Sequence, residues 1–166
     1  MRMVRLDRVD KVIWILPLLG VLDVLSTFYV EWQGYPLVVY EAGFLASFFT
    51  ELGLLYAYVP VYLLFLVGVA TALWFIKNRV LHPSHFFDKA LLFLLVVVAG
   101  YVCVILTTTI TGNVLLPYYA SGKVSMSTIT VIVSLSTALA LTLYLREEIL
   151  LWLKTNGERE GSVVAC

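Results

Sequence analysis

Charge is scarce in this chain of 166 residues: 13% are Asp, Glu, Lys or Arg, against 61% hydrophobic. An ordinary soluble domain carries roughly 25% charged residues. A soluble fold of this size leaves too much surface in water to hide so much apolar area. The formal net charge is zero, so the basic excess that marks nucleic-acid binding is missing and no nucleic-acid partner is expected. Cysteine is nearly absent. Cys103 lies within an apolar run and Cys166 ends the chain, which excludes a disulfide framework and a cysteine-based metal site. Cys166 is also misplaced for prenylation, which needs Cys four from the end. No His-Glu-x-x-His helix, Gly-x-Ser-x-Gly elbow, Cys-x-x-Cys or phosphate-binding loop occurs. These absences point to no cofactor and give no support to the common hydrolytic or nucleotide chemistries. Glutamine and asparagine are rare, confined to Gln33, Asn78, Asn113 and Asn156.

Long apolar runs fill the space. The first, Val12 to Val30, has the ~28 Å reach that a bilayer core requires. Arg2, Arg5, Arg8 and Lys11 precede it as they would a signal peptide, but bulky Phe28, Tyr29 and Val30 stand where a cleavage site needs small residues. Further spans are predicted at about 54–76, 89–110 (extendable to Leu116, before Pro117) and 125–145. The expected fold is all-α: a four-helix transmembrane bundle, residues 1–156, with the tail 157–166 disordered. Between the first and second spans, Gly34 and Pro36 break the chain. A short helix over about 40–52 follows, framed by Glu41 and Glu51. It is too short to cross and reads as an interfacial or re-entrant segment.

Ten of the eleven Lys and Arg residues fall before the first span, between the second and third, or after the fourth; Lys123 is the exception. With four crossings those segments share one face, and the positive-inside rule makes it cytoplasmic. The expectation is a multi-pass protein of the cell membrane with both termini inside. Tyr29, Trp32, Tyr35, Tyr40, Tyr56, Tyr58, Tyr118 and Tyr119 fall near the outer interface, and Trp14, Trp74 and Trp152 near the inner one, as amphipathic rings prefer. The bilayer is the one partner this patterning names. A homo-oligomer is also expected.

Asp23 stands out. It lies about 10 Å inside the outer end of the first span, where an acid costs a few kcal/mol. It must face the bundle or a cavity, be protonated, or be paired. Gly20, Asp23 and Thr27 share one helical face, with Ser26 beside them. One reading is a site for a proton or monovalent cation, or an anchor for a polar headgroup. The other is a structural hydrogen bond between helices. The outer half of the third span brings Thr107, Thr108, Thr109, Thr111 and Asn113 to similar depth, and the fourth offers Ser127, Thr130, Ser134 and Thr137. Hydroxyls can coordinate an ion, but they also bond their own backbone and pack helices, and for the fourth span that reading is preferred. Glu41 suits the start of a short helix and is equally a second acid for Asp23. His82, His85 and Asp88, among basic residues, suit lipid headgroups better than a metal.

The segment Asp23-Val-Leu-Ser-Thr27, followed by Gly34 and Glu41, resembles an uncharacterised family of small prokaryotic polytopic membrane proteins. Its members carry Asp-x-x-[Ser/Thr]-Thr in the first helix, then Gly and Glu in the next loop. The resemblance covers about a quarter of the chain, and Asn113 extends it. It implies that Asp23, Thr27 and Glu41 act together, and it implies no activity. In architecture alone the chain is also similar to the small multidrug antiporters, which place one acid in the first of four helices. The sequence thus leaves three functions open. These are ion or small-solute binding and transport through Asp23, Thr27, Glu41, Thr107, Thr111 and Asn113; a non-catalytic scaffold or accessory subunit; and a lipid-acting enzyme using Asp23 and Glu41.

Overall fold

A computed structural model of the chain describes residues 6–35, 54–80, 86–120, 122 and 125–163. The short helix expected over 40–52, with Glu41, lies outside them, as does the linker with His82 and His85. Among the described residues four helices are long and apolar enough to cross a membrane. They are α1 (Asp7–Trp32), α2 (Tyr58–Phe75), α3 (Phe86–Ala120) and α4 (Met126–Val163), with a 3-10 turn at Leu55–Ala57 leading into α2 and a π turn at Ile76–Val80 closing it.

The helices outrun the predicted spans for local reasons. Pro117 falls in the last turn of α3, where the bond it forfeits ends no long ladder, so α3 continues past 110. Gly157 and Gly161 cost roughly 1 kcal/mol each in a helix but do not stop one, and α4 runs through them to Val163. Pro60 lies in the first turn of α2, where its missing N–H has no intrahelical acceptor anyway. Pro60 therefore requires no kink in α2. Gly34 ends α1 as expected, with φ +86°. Its N–H donates to the Glu31 carbonyl at 2.9 Å and the Tyr35 N–H to the Val30 carbonyl at 3.2 Å. This is the paired Schellman closure, which favours glycine at the left-handed position.

α1 is the central helix. It packs on α2 and α3, α4 packs on α3, and α1 meets α4 only lightly. Its buried positions, Val9, Val12, Ile13, Leu16, Gly20, Val24, Ser26, Thr27 and Val30, form one stripe at helical spacing, widened by the adjacent pairs Val12–Ile13 and Ser26–Thr27. Within the most apolar stretch of each helix, 39% of α1 is buried but only 6% of α4, so α4 presents most of its surface outward. The largest apolar core joins the first half of α1 (Val9, Ile13, Leu16) to Ala70 and Leu73 of α2, Leu92, Leu95, Ala99 and Cys103 of α3, and Leu145 of α4. That core occupies the end of the bundle where α1 begins and α2 ends. The opposite half buries Val24, Val30, Leu66, Leu106 and Leu116 together with a set of polar side chains.

Candidate functional site

The polar half is built around Asp23. Gly20, one turn before it, is buried, and a Cβ there would collide with the Leu66 side chain. The missing side chain brings α1 and α2 close at this level. Tyr62, one turn from Leu66 on α2, then reaches the acid. Its Oη donates to Asp23 Oδ2 at 2.8 Å. Oδ1 is enclosed and has no hydrogen-bond partner among the described residues. An enclosed carboxylate oxygen is ordinarily supplied with a donor; Asp23 Oδ1 lacks one, as does Asp10 Oδ1 at the other end of the bundle.

The backbone carbonyl of Asp23 is crowded instead. Ser26 Oγ donates to it at 2.8 Å and Thr27 Oγ1 at 3.0 Å. Both hydroxyls are buried. Asn113 of α3 reaches across with Nδ2 at 3.0 Å from Ser26 Oγ and 3.2 Å from Thr27 Oγ1. The orientation of this amide is fixed by chemistry. Each hydroxyl has one proton, already given to the Asp23 carbonyl, so toward Asn113 it can only accept, and the amide must present its NH2. Three helices thus meet in one seam: Tyr62 from α2 on the carboxylate, and Asn113 from α3 on the hydroxyl pair of α1.

Of the residues expected at the site, Asp23, Thr27 and Asn113 come together. Thr107 and Thr111 are engaged elsewhere. Their hydroxyls donate to the carbonyls of Cys103 and Thr107, each at 2.8 Å, the i−4 back-bonding that hydroxyls adopt within helices. Thr108 bonds the Val104 carbonyl at 2.7 Å and also lies 3.1 Å from Ser134 Oγ, tying α3 to α4. Glu41 lies outside the described residues. Among those residues no three His, Cys, Asp or Glu side chains converge as a metal site would require. Tyr62 escaped the sequence reading. Its signal, a tyrosine near a span end, is the same one that marks an interfacial belt.

Beyond the seam, Tyr56 stacks on Phe28 with ring centroids 6.0 Å apart and donates to Glu31 Oε1 at 3.2 Å. The hydrogen bond and charge of that carboxylate hold the Tyr56 phenol above its ordinary range, so the phenol keeps its proton and remains a donor.

The other end of the bundle carries a second polar assembly that the sequence did not reveal. Glu148 of α4, buried, takes the start of α1 as its donor. The Arg8 N–H lies 2.9 Å from Oε1 and 3.0 Å from Oε2, and the Val9 N–H 3.0 Å from Oε2. No side chain of α1's own N-cap, Leu6, performs this role. The carboxylate satisfies N–H groups that every helix start leaves open and complements the helix dipole. Arg8 returns to α4 through the Tyr144 carbonyl at 2.9 Å and Glu147 at 3.0 Å. Lys77, buried at the end of α2, pairs with Asp10 and donates to the Leu6 carbonyl at 3.1 Å. The stretch of α4 after the predicted fourth span is therefore partly committed inside the molecule. Comparisons with protein-family models, with curated proteins and with solved structures each find no match for this chain.

Proposed function

We propose that the protein is a multi-pass membrane protein that binds and translocates a small cation, a proton or a monovalent metal ion, at the Asp23 seam. One observation carries the reading. An acid sits within an apolar helix with Oδ2 held by Tyr62 and Oδ1 enclosed without a partner. Asp10, in its pair with Lys77, also leaves one oxygen enclosed without a partner; what distinguishes Asp23 is that no cation pairs with it among the described residues and that it lies deep in an apolar run, where an unmet charge is costly. Thr27 and Asn113 then shape the wall of the site. The Lys and Arg distribution places this half toward the outer face and both termini in the cytoplasm. The family resemblance built on Asp23, Thr27 and Glu41 agrees with this grouping.

An occupant that binds only the folded protein raises its stability in proportion to the logarithm of its concentration. The purified chain in detergent is expected to shift its melting temperature with pH or with one of Li+, Na+ and K+, and Asp23→Asn is expected to abolish that shift. In vesicles the same variant should lose ion flux. Equal responses from wild type and variant would remove the reading.

A scaffold role is the second reading, favoured by the Asn113 bridge to Ser26 and Thr27, since interhelical hydrogen bonds of this kind fasten membrane helices. On that account Asp23→Asn leaves ion responses absent in both proteins, and a fixed partner co-purifies.

A further inference from the structure

We propose that a second copy of this chain docks on the free face of α4, making a parallel dimer. The inference does not depend on the cation reading. α4 has two sides. Ser134, Leu141, Leu145 and Glu148 turn toward the bundle, through the Thr108 contact, the apolar core and the start of α1. On the opposite side Ile132, Leu139, Leu143 and Leu150 are each more than half exposed, with Ser136 exposed among them. Ile132, Ser136, Leu139 and Leu143 follow one another at alternating steps of four and three residues, and Leu150 stands one full heptad beyond Leu143. This is the repeat by which two helices interlock along a seam. Ser136 suits the middle of such a seam. Its hydroxyl is spent on the Ile132 carbonyl at 2.6 Å, and its small side chain lets another backbone come near.

Apolar exposure within the bilayer names no partner by itself, since acyl chains cover it as well as a helix would. Two further observations do. The first is charge. By the same repeat, the seam position between Leu143 and Leu150 falls on Arg146, with Glu147 beside it, and both are exposed. Glu147 meets Arg8 of its own chain at 3.0 Å, yet its side chain stays largely open. In two parallel helices related by a twofold axis, Arg146 of each copy lies beside Glu147 of the other. Both contacts then join opposite charges, so this face is complementary to itself. The Lys and Arg distribution gives both copies one orientation in the bilayer, which makes the pair parallel. The second observation is depth. The Arg8 N–H bonds Glu148, so the charged start of α1 lies level with Glu148. Leu150 carries the stripe past that level, and α4 runs on to Val163, ~22 Å beyond Glu148. Headgroups and water replace acyl chains there, and an exposed leucine gains from a protein neighbour.

Cysteine cross-linking of the full chain in liposomes tests the face. With Cys166→Ser as background and the buried Cys103 kept, Leu143→Cys and Leu150→Cys should each give a covalent dimer on mild oxidation. Val131→Cys, as exposed as Leu143 but about a third of a turn off the seam, should not. Arg146→Glu sets like charges side by side. Energy transfer between labelled copies should show it associating about tenfold more weakly than wild type at low salt, a difference that shrinks as salt is raised. Cross-linking through Val131→Cys as efficient as through Leu143→Cys overturns the face. Ile132→Cys and Leu150→Cys copies that join to each other overturn the parallel arrangement. Unchanged association of Arg146→Glu overturns the reciprocal pairing that selects a second copy. A chain that stays monomeric at every protein-to-lipid ratio, or that holds a different protein on α4, overturns the dimer.

Discussion

At the scale of single residues, the seam depends on one amide. Asn113 supplies both donors that join α3 to the hydroxyl pair of α1. Asn113→Ala removes them and leaves Ser26 and Thr27 bonded only to their own helix. Interhelical bonds of this type are worth about 0.6 kcal/mol on average in membranes, so a loss of about 1 kcal/mol is expected for the pair, measurable as a lowered unfolding midpoint in detergent. Asn113→Asp should be worse, because it presents oxygen to oxygen and adds a second acid near Asp23. A variant as stable as wild type would show that the bridge is incidental. The sequence disclosed Asp23, Thr27 and Asn113 for one physical reason: a polar group inside an apolar run is expensive and must have a use. The same logic could not separate Thr107 and Thr111 from them. A hydroxyl that bonds its own backbone leaves the same letters in the sequence as one that crosses to another helix. Tyr62 was hidden because its ring is at home in lipid.

At the scale of helices, endings decide more than spans do. The Schellman closure at Gly34 was legible because glycine is the residue that a positive φ favours. The start of α1 was not, because its cap comes from α4. Glu148 looks like any surface glutamate of an amphipathic stretch until the two helices are placed side by side. Glu148→Ala strips the Arg8 and Val9 N–H groups of their acceptor at a buried position, a change expected to cost about 2 kcal/mol. Glu148→Gln keeps one acceptor oxygen and should recover part of it. Thermal unfolding of the two variants beside wild type checks the order. Equal stability of all three would mean that water caps α1 unaided. Helix ends at Ala120 and Val163 were misjudged for a simpler reason. Proline and glycine penalties are finite, and neighbouring turns can absorb them.

At the scale of the whole molecule, the four-helix fold was the most readable feature, since apolar length alone specifies it. The order of packing was not. No periodicity announces that α1 is central, that α4 rests on α3, or that the tight apolar core and the polar seam occupy opposite halves of the bundle. Contacts of Arg8 with Glu148, and of Lys77 with Asp10, gather the beginning of α1, the end of α2 and the later part of α4 at one end. Reporters fused to either terminus should therefore share one compartment, the cytoplasm by the Lys and Arg distribution. An impermeant label at residues 33–35 should react from the opposite side. A split result for the two termini would contradict the arrangement.

The trans-supplied cap has a consequence for biosynthesis. Arg8 is made before its acceptor, which lies 140 residues further along. While α1, α2 and α3 are being synthesised the leading turn of α1 is open, and it closes only once Glu148 has emerged. A nascent chain halted before Glu148 holds the Asp23 seam but lacks this clasp, so quality-control proteases meet a first helix whose entry turn can still fray.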